Sequence, residues 1–401
     1  MSRKKRCSCK GRTNKKHTFQ LTRTLCAALS QLCWVFCCPP CPPCIIRKIA
    51  FHPPKPPTYK IVTTSKGMPK MVIQDESLKI LPLPQMRSKT ILLYEKISTC
   101  MCREHKKIVA MQWLHTSETS RSNLVILHSH VNAADLGTVQ FPMETLARRT
   151  GCDVIAYDYS GYGGSDGSPS EDVILRNADM VMKYINDVLH RPPSDVIVYG
   201  QSIGSVPTWY LASKYDVAGV IQLSGLYSGW RTLNRESGSI ENVSQSGCCC
   251  LNPFNNAGLV KEVRSPVLLI HGKADEVIQF SHAVELLRLC GAFAVPPLWI
   301  DGIGHVGIER TREFYERVNK FLHEEVRRFA AAQLAVSNST ISSRSADTPS
   351  AAVPTTRLTR NIQLSPKFAQ SSDANQTKSK PIRMIRDISK FTAGFWRMES
   401  E

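Results

Sequence analysis

The apolar run Val196-Ile197-Val198-Tyr199 ends in Gly200-Gln201-Ser202-Ile203-Gly204 and passes at once into Ser205, Val206 and Pro207. This G-x-S-x-G spacing predicts a sharp turn from a buried strand into a helix, with Ser202 at its apex as a nucleophile. A serine hydroxyl is barely ionised at neutral pH. It reacts only when a neighbouring base takes its proton and backbone N–H groups hold the oxyanion that forms. A tight turn serves both needs by lifting the hydroxyl above the sheet and leaving the N–H of Ile203 facing the same space. Gly200 and Gly204 omit the side chains that would collide in such a bend. The pentapeptide alone is also compatible with an ordinary strand-to-helix connection, so its meaning depends on the partners that the rest of the chain supplies.

Two further apolar runs each lead into a candidate partner. Val267-Leu268-Leu269-Ile270 runs into His271-Gly272-Lys273-Ala274-Asp275, and Leu298-Trp299-Ile300 runs into Asp301-Gly302-Ile303-Gly304-His305. The chain order Ser202, Asp275, His305 is that of an α/β-hydrolase triad and not of the chymotrypsin or subtilisin arrangements. The spacing therefore predicts an α/β-hydrolase fold: a mostly parallel central sheet with helices on both faces, a short lid insertion at about 225–260, and disordered termini. The remaining oxyanion N–H is expected from the loop after Leu124-Val125-Ile126-Leu127, at Asn132 or its neighbour Val131. The glycine-rich stretch Asp158 to Ser165 lacks the lysine and the spacing of a phosphate cradle and reads as a pocket wall. Ser170 is expected to cap a helix whose Ile174, Ala178, Val181, Ile185 and Val188 form one buried face. The last helix of the body is expected from about Ile308 to Phe329, with Phe314, Val318, Phe321 and Val326 inward.

Charge divides the chain differently. No acidic residue precedes Asp75, whereas fifteen Lys and Arg do; residues 331–401 carry ten basic against five acidic residues. Of a formal net charge of +18, only −2 belongs to 75–330. The basicity lies in the arms, which implies an anionic membrane surface as partner. Nucleic acid is not expected, because the arms lack aromatic residues interleaved with the basic ones. Between Leu25 and Cys38 lies an apolar stretch too short to span a bilayer, which takes ~20 residues, and prolines follow it where a signal peptide would have a cleavage site. Five cysteines, Cys33, Cys37, Cys38, Cys41 and Cys44, stand in the dozen positions from Cys33 to Cys44. A cluster of this kind suits S-acylation, in which several chains plus a polybasic arm hold a protein firmly where one chain does not. A redox pair or a zinc site is not expected at Cys38-Pro39-Pro40-Cys41, since no second ligand pair stands at the right distance.

These features divide the chain into a basic, Cys/Pro-rich anchoring segment (1–60), a hydrolase domain (61–330) and a low-complexity basic tail (331–401). Pro53 to Pro57 reads as a stiff spacer. In the insertion, Cys248-Cys249-Cys250 with Leu251, Pro253 and Phe254 reads either as a lipid-dipping element or as a plain mobile loop. Ile382, Ile385, Ile388, Phe391 and Phe395 recur at helical steps among Lys and Arg, a pattern open to a membrane-lying helix or a disordered tail.

The motifs resemble those of one family, the α/β-hydrolase domain-containing 17 protein depalmitoylases. The residues that carry the likeness are Cys37-Cys38-Pro39-Pro40-Cys41-Pro42, Asn132 to Gly137, Asp158-Tyr159-Ser160-Gly161-Tyr162-Gly163, Tyr199 to Gly204, Asp275-Glu276-Val277-Ile278 and Gly304-His305. The resemblance implies a Ser202–Asp275–His305 triad, no cofactor and no metal. It implies palmitoylated cysteines near the start and S-acylated membrane proteins as substrates. It also implies a peripheral, lipid-anchored enzyme, expected as a monomer, on the cytoplasmic face of plasma or endosomal membranes. The chain departs from the family pattern at Val131, where the family has Gly, and at Val306-Gly307, where it tends to have Asn-Asp. The triad by itself would serve esters or peptides equally well. A carboxylesterase or lipase, or a weakly catalytic membrane scaffold, therefore stands beside the thioesterase.

The cysteine cluster generates a direct prediction. Replacing Cys33, Cys37, Cys38, Cys41 and Cys44 together by Ser is expected to abolish acyl-exchange labelling of the protein and to move it from the membrane to the soluble fraction. Unchanged membrane retention and labelling would exclude these positions as the anchor.

Overall fold

The computed structural model describes residues 42–79, 83, 86–98, 103–116, 121–233 and 252–344. The chain divides into two units, Met1–Ala50 and Phe51–Glu401. Within the first, the described part is helix α1 (Pro42–Ala50). Cys33, Cys37, Cys38 and Cys41 lie outside the described residues, as do Cys248 to Cys250 and the segment containing Ile382 to Phe395. Cys44 falls within α1. Among the described residues no helix is long and apolar enough to cross a membrane.

The second unit opens with a two-stranded antiparallel hairpin, β1 (Tyr59–Thr63) and β2 (Pro69–Ile73). Eight strands then build one sheet: β3 (Met86–Ser98), β4 (Arg103–His115), β5 (Val125–Ser129), β6 (Asp153–Tyr157), β7 (Val196–Gln201), β8 (Gly219–Leu223), β9 (Val267–Gly272) and β10 (Leu298–Ile300). Their order is β10-β9-β8-β7-β5-β6-β4-β3, and only the β3–β4 and β4–β6 pairs are antiparallel. The short central strands read as continuous apolar runs because helices cover both faces, and every residue of β5 to β9 is buried. Alternate residues Ile126, Ile197, Ile221 and Leu268 meet helix α2 (Leu136–Thr150) and the C-terminal helices, through Leu136, Val139, Met143, Phe314 and Phe321. The helices α3 (Glu171–Asp187), α4 (Ser205–Lys214) and α7 (Phe280–Cys290) cover the opposite face; the short α5 (Gly229–Leu233) and α6 (Asn256–Val260) lie between α4 and α7 in sequence.

Helix ends follow local chemistry. Asp135 and Ser170 accept backbone N–H bonds from Thr138 and Val173 at the starts of α2 and α3, and Gly151, at φ 70°, closes α2 by donating its N–H to Ala147.

The structure differs from the sequence reading at four places. Val188, expected on the buried face of α3, caps its C-terminus and is 58% exposed, because the helix ends before that turn is completed. The domain boundary falls at Phe51 and not at 60, since the residues flanking the prolines dock: Phe51 and Tyr59 are buried, Thr58 donates through its backbone N–H and hydroxyl to Asp135, and the Tyr59 hydroxyl bonds the buried Asp158 carboxylate. Phe254, in a segment read either as a lipid-dipping element or as a plain mobile loop, packs edge-on against Phe51 with ring centres 5.8 Å apart. Lastly, the C-terminal helix does not stop near Phe329. It passes from α8 (Arg312–Lys320) through a π-helical turn, Phe321–Glu325, into α9 (Val326–Arg344), past the boundary expected at 330. Phe314, Val318, Phe321 and Val326 are all buried, as the periodicity predicts.

The order of strands sets the site. The chain moves from β5 to β6 on one side and returns to place β7 on the other side of β5. A crevice opens at the carboxyl ends of strands where the winding reverses. The turn after β7 and the loop after β5 face each other across it, with Gly204 against the end of β5. A Cβ on Gly204 would stand 2.0 Å from the Ser129 carbonyl oxygen, and one on Gly200 2.4 Å from the Gly204 carbonyl oxygen. Gly204→Ala is therefore expected to destabilise the protein by about 2 kcal/mol or more, since backbone on both sides prevents relief. Thermal or urea unfolding beside the wild type measures it, and a near-neutral value would show that the turn is less tightly seated than this.

Candidate active site

Ser202 follows β7 directly and opens a single 3₁₀ turn, Ser202–Gly204, before α4. Its φ of 54° lies in the left-handed region, which a non-glycine residue occupies at a cost of order 1–3 kcal/mol. The contacts of Gly200 and Gly204 impose that conformation, and it aims the side chain into the crevice.

Asp275 and His305 come from neighbouring parallel strands, β9 and β10. Their loops are laced together: the N–H of Lys273 donates to the Ile300 carbonyl at 2.9 Å, and that of Ala274 to the Ile303 carbonyl at 3.1 Å. A Cβ on Gly272 would stand 2.2 Å from the Ile303 oxygen, so the loops touch backbone to backbone. Glu276 reaches across and accepts the His305 N–H at 3.2 Å.

These constraints bring three residues, remote in sequence, into one hydrogen-bonded line. His305 Nε2 lies 3.0 Å from Ser202 Oγ, and His305 Nδ1 lies 2.8 Å from Asp275 Oδ2. All three residues are buried. The other carboxylate oxygen, Asp275 Oδ1, accepts the backbone N–H groups of Val277 and Ile278 at 2.9 and 2.8 Å. Burial pushes the Asp275 carboxyl upward, but hydrogen bonds from His271 and His305 and the Ile278 N–H outweigh it, and the group sits below the usual carboxylate range. It therefore remains an anion facing the imidazole. An imidazole so held, with an acceptor behind and a hydroxyl in front, can take a proton from that hydroxyl and remain paired as a cation.

The sequence-predicted oxyanion donors flank this line. Ile203 follows Ser202 and is buried; Val131 and Asn132 lie in the loop after β5, against which Gly204 is seated. That loop is tied from several sides. The Tyr159 hydroxyl donates to the His130 carbonyl at 2.7 Å, and His130 Nδ1 donates to the Val131 carbonyl at 2.8 Å. Asn132 Oδ1 accepts from the Tyr162 hydroxyl at 2.7 Å, the His52 N–H at 3.0 Å and the Ala133 N–H at 3.1 Å. The half-buried Val131 side chain packs against the apolar core, so the branched residue is turned away from water into the body.

Four residues around this site make contacts that sequence reasoning missed. Tyr59 and Asp158 form a buried pair beneath the oxyanion-side loop; Asp158 also accepts the Leu136 N–H at 3.0 Å and faces His130 Nε2 at 3.4 Å. Burial holds the Asp158 carboxyl above its ordinary value. The glycine-rich stretch read as a pocket wall wraps this carboxylate: a Cβ on Gly163 would stand 2.0 Å from Asp158 Oδ2. Glu309, half-buried four residues after His305, turns its carboxyl inward; desolvation raises its pKa, while its own backbone, His305 and a hydrogen bond from Gln201 oppose the rise. His271, the fourth, precedes Asp275 by four positions and touches it. Nothing in local spacing marks Tyr59, which lies 99 residues from its partner. His271 stands at the end of an apolar run, where the sequence pattern assigns it no role. Among the described residues no cluster of His, Cys, Asp and Glu could hold a metal ion.

Comparison with known proteins agrees with this architecture. Residues 123–228 match the family model of the alpha/beta hydrolase fold. The chain is 34% identical to mouse alpha/beta hydrolase domain-containing protein 17C, over 75% of this chain and 96% of that protein. It is 35% identical to human alpha/beta hydrolase domain-containing protein 17B, over 75% and 98% respectively. Among solved structures, an esterase of Pyrococcus furiosus superposes with a TM-score of 0.46 at 17% identity, covering 59% of this chain and 92% of that one. The family model and the mouse and human relatives define a serine hydrolase of the α/β-hydrolase class. Within that class, the chain belongs to the alpha/beta hydrolase domain-containing protein 17 family, the one its motifs resemble.

Asp275→Asn tests the electrostatics. The substitution replaces an anion with an amide that cannot hold the imidazole in the same tautomer and is expected to slow fluorophosphonate labelling of Ser202 by about 10³–10⁴-fold. Stability carries a separate signature. Because the folded pKa of Asp275 is depressed, its contribution is full above the unfolded value of ~4 and is lost as pH falls through the folded value. The stability gap between wild type and Asp275→Asn should therefore be constant above about pH 5 and narrow below about pH 4. Urea titrations at stepped pH measure it; a gap that widens on acidification has the wrong sign.

Proposed function

We propose that Ser202, His305 and Asp275 act as nucleophile, general base and orienting anion in the hydrolysis of S-acyl thioesters on cysteines of membrane-associated proteins. The observation that carries this reading is the unbroken line from Ser202 Oγ through His305 to Asp275 Oδ2, at 3.0 and 2.8 Å. In the first half-reaction Ser202 Oγ attacks the thioester carbonyl while His305 Nε2 accepts its proton. The tetrahedral oxyanion meets the N–H of Ile203 and one from the Val131–Asn132 loop, each such donor typically being worth ~10²–10³ in rate. Collapse expels the cysteine sulfur, to which His305 returns the proton, and leaves an acyl-serine. In the second half-reaction His305 takes a proton from water, the resulting hydroxide attacks the acyl carbonyl, and Ser202 leaves with the proton from His305. Asp275 keeps Nδ1 protonated and stays ionised throughout. The cycle needs no cofactor and no metal.

The relay does not choose thioesters over oxygen esters. That choice is supported by the clustered cysteines and basic residues before Ala50, which suit a chain held at the membrane surface where acylated proteins sit, and by the resemblance of its motifs to those of protein depalmitoylases. Tethering enzyme and substrate to one surface raises their effective concentration without any new contact. The peripheral, cytoplasmic-face location and the S-acylated cysteines at Cys33, Cys37, Cys38, Cys41 and Cys44 belong to the same proposal.

Purified full-length protein incubated with an S-palmitoylated peptide is expected to release the acyl group, and Ser202→Ala to abolish both this release and fluorophosphonate labelling. Equal behaviour of wild type and Ser202→Ala in both assays would overturn the enzyme reading. Labelling with turnover of glycerol or p-nitrophenyl esters far above that of thioesters would leave a serine esterase instead.

A further inference from the structure

His271 lies near the end of β9 with 1% of its surface exposed. Its Nε2 stands 2.9 Å from the carbonyl oxygen of Ile278 and 3.2 Å from Asp275 Oδ2. A carbonyl oxygen only accepts, so Nε2 carries the proton and donates it to Ile278, with Asp275 Oδ2 in close contact beside that bond. Nδ1 is buried with no hydrogen-bond partner among the described residues. The ring therefore directs its whole hydrogen-bonding capacity at the two ends of one turn, Asp275 to Ile278. It is held laterally as well. The Phe280 ring packs against it edge-on at 6.0 Å between centres, and Phe280 packs in turn on Trp299, the residue paired with His271 across the β9–β10 ladder.

Burying a polar ring with one nitrogen unsatisfied carries a desolvation penalty that an apolar side chain at this place would avoid. The compensation lies in what Nε2 holds. Asp275 Oδ1 is fixed by two backbone N–H groups, whereas Oδ2 receives only side chains, His305 Nδ1 at 2.8 Å and His271 Nε2 at 3.2 Å. We propose that His271 is a positioning residue of the relay: its Nε2–H clamps Asp275 Oδ2 to the Ile278 carbonyl, fixing the plane of the carboxylate so that Oδ2 faces His305. The proposal rests on the reading of Ser202, His305 and Asp275 as a relay. Without the clamp, Oδ2 keeps His305 as its partner while Oδ1 stays on the two backbone N–H groups, so the tilt of the carboxylate about Oδ1 is less constrained and His305 faces a less firmly oriented acceptor, with the substrate-facing surface unaltered. A misplacement of this kind, remote from the reacting atoms, costs of order 10²-fold in rate.

The test compares full-length wild type with His271→Gln, His271→Asn and His271→Phe, reading fluorophosphonate labelling of Ser202 as a function of probe concentration. Gln places an N–H near the position of Nε2; Asn places its amide at the level of Nδ1; Phe keeps the ring without a donor. Phe and Asn are expected to slow labelling at saturating probe by about 10–100-fold with the half-saturating concentration within about twofold of wild type, and Gln to recover to within about threefold. Wild-type rates in His271→Phe, or a Gln variant as slow as Phe, would overturn the positioning role. A general packing defect would raise the half-saturating concentration too, and would not be relieved by Gln. Should the variants fail to fold, as judged by circular dichroism, the ¹⁵N spectrum of histidine-labelled wild type decides: a protonated Nε2 and bare Nδ1 at His271 support the clamp, and the opposite tautomer removes it. A wild type that does not label at all overturns the relay reading itself, and the positioning role with it.

Discussion

Two strips of backbone in van der Waals contact hold this site in place. Gly204 lies on the carbonyl of Ser129, and Gly200 lies beneath the carbonyl of Gly204, with no room for a methyl group at either position. That contact forces Ser202 into the left-handed region and seats the turn after β7 against the loop after β5. Because the sheet winds in opposite directions from β5, the contact falls on the crevice where the strand ends diverge. The strain at Ser202 persists because the surrounding sheet over-determines the backbone there. The position of Ser202 is thus a property of the sheet's order and not of its own loop.

The opposite wall is built on a different principle. Asp275 and His305 sit on loops that are long enough to wander, and hydrogen bonds hold them where sterics do not. Backbone bonds join Lys273 to Ile300 and Ala274 to Ile303, Glu276 fixes the His305 N–H, and the Asp275 carboxylate collects three N–H donors with His271 Nε2 beside it at 3.2 Å. An anion so supplied with N–H donors retains its charge in a buried place, which is what an imidazole needs beside it. On the oxyanion side the same economy recurs with tyrosines: Tyr159 and Tyr162 hold the loop from above Asp158, and Tyr59, which arrives from the start of the unit, closes the cluster. The N-terminal flank of this unit is consequently part of the site's support, since Thr58 and His52 bond Asp135 and Asn132.

Much of this was legible in the sequence, for a physical reason. A parallel strand buried on both faces leaves an apolar run, and a catalytic side chain on such a sheet must stand where the run ends. Ser202, Asp275 and His305 each do so, and their order in the chain fixes the class of fold. The cap at Ser170 was legible in the same way. The prolines at 53–57 misled, because a proline run looks the same whether it bridges solvent or is pinned at both ends; Phe51 and Tyr59 pin this one. Val188 misled because periodicity carries no mark of where a helix stops.

What the sequence determined by itself was identity and order: which residues are the candidates for nucleophile, base and anion, which strands precede them, and which two glycines the turn requires. What only the tertiary structure decided was proximity between groups that share no local pattern. Tyr59 meets Asp158, His271 and His305 converge on one oxygen of Asp275, and Glu276 spans two loops to reach a backbone N–H. Local spacing encodes local geometry through the helix and strand periods. A bond between positions 99 residues apart is fixed by the register of the sheet and the close-packing of its core, which no window of the chain contains.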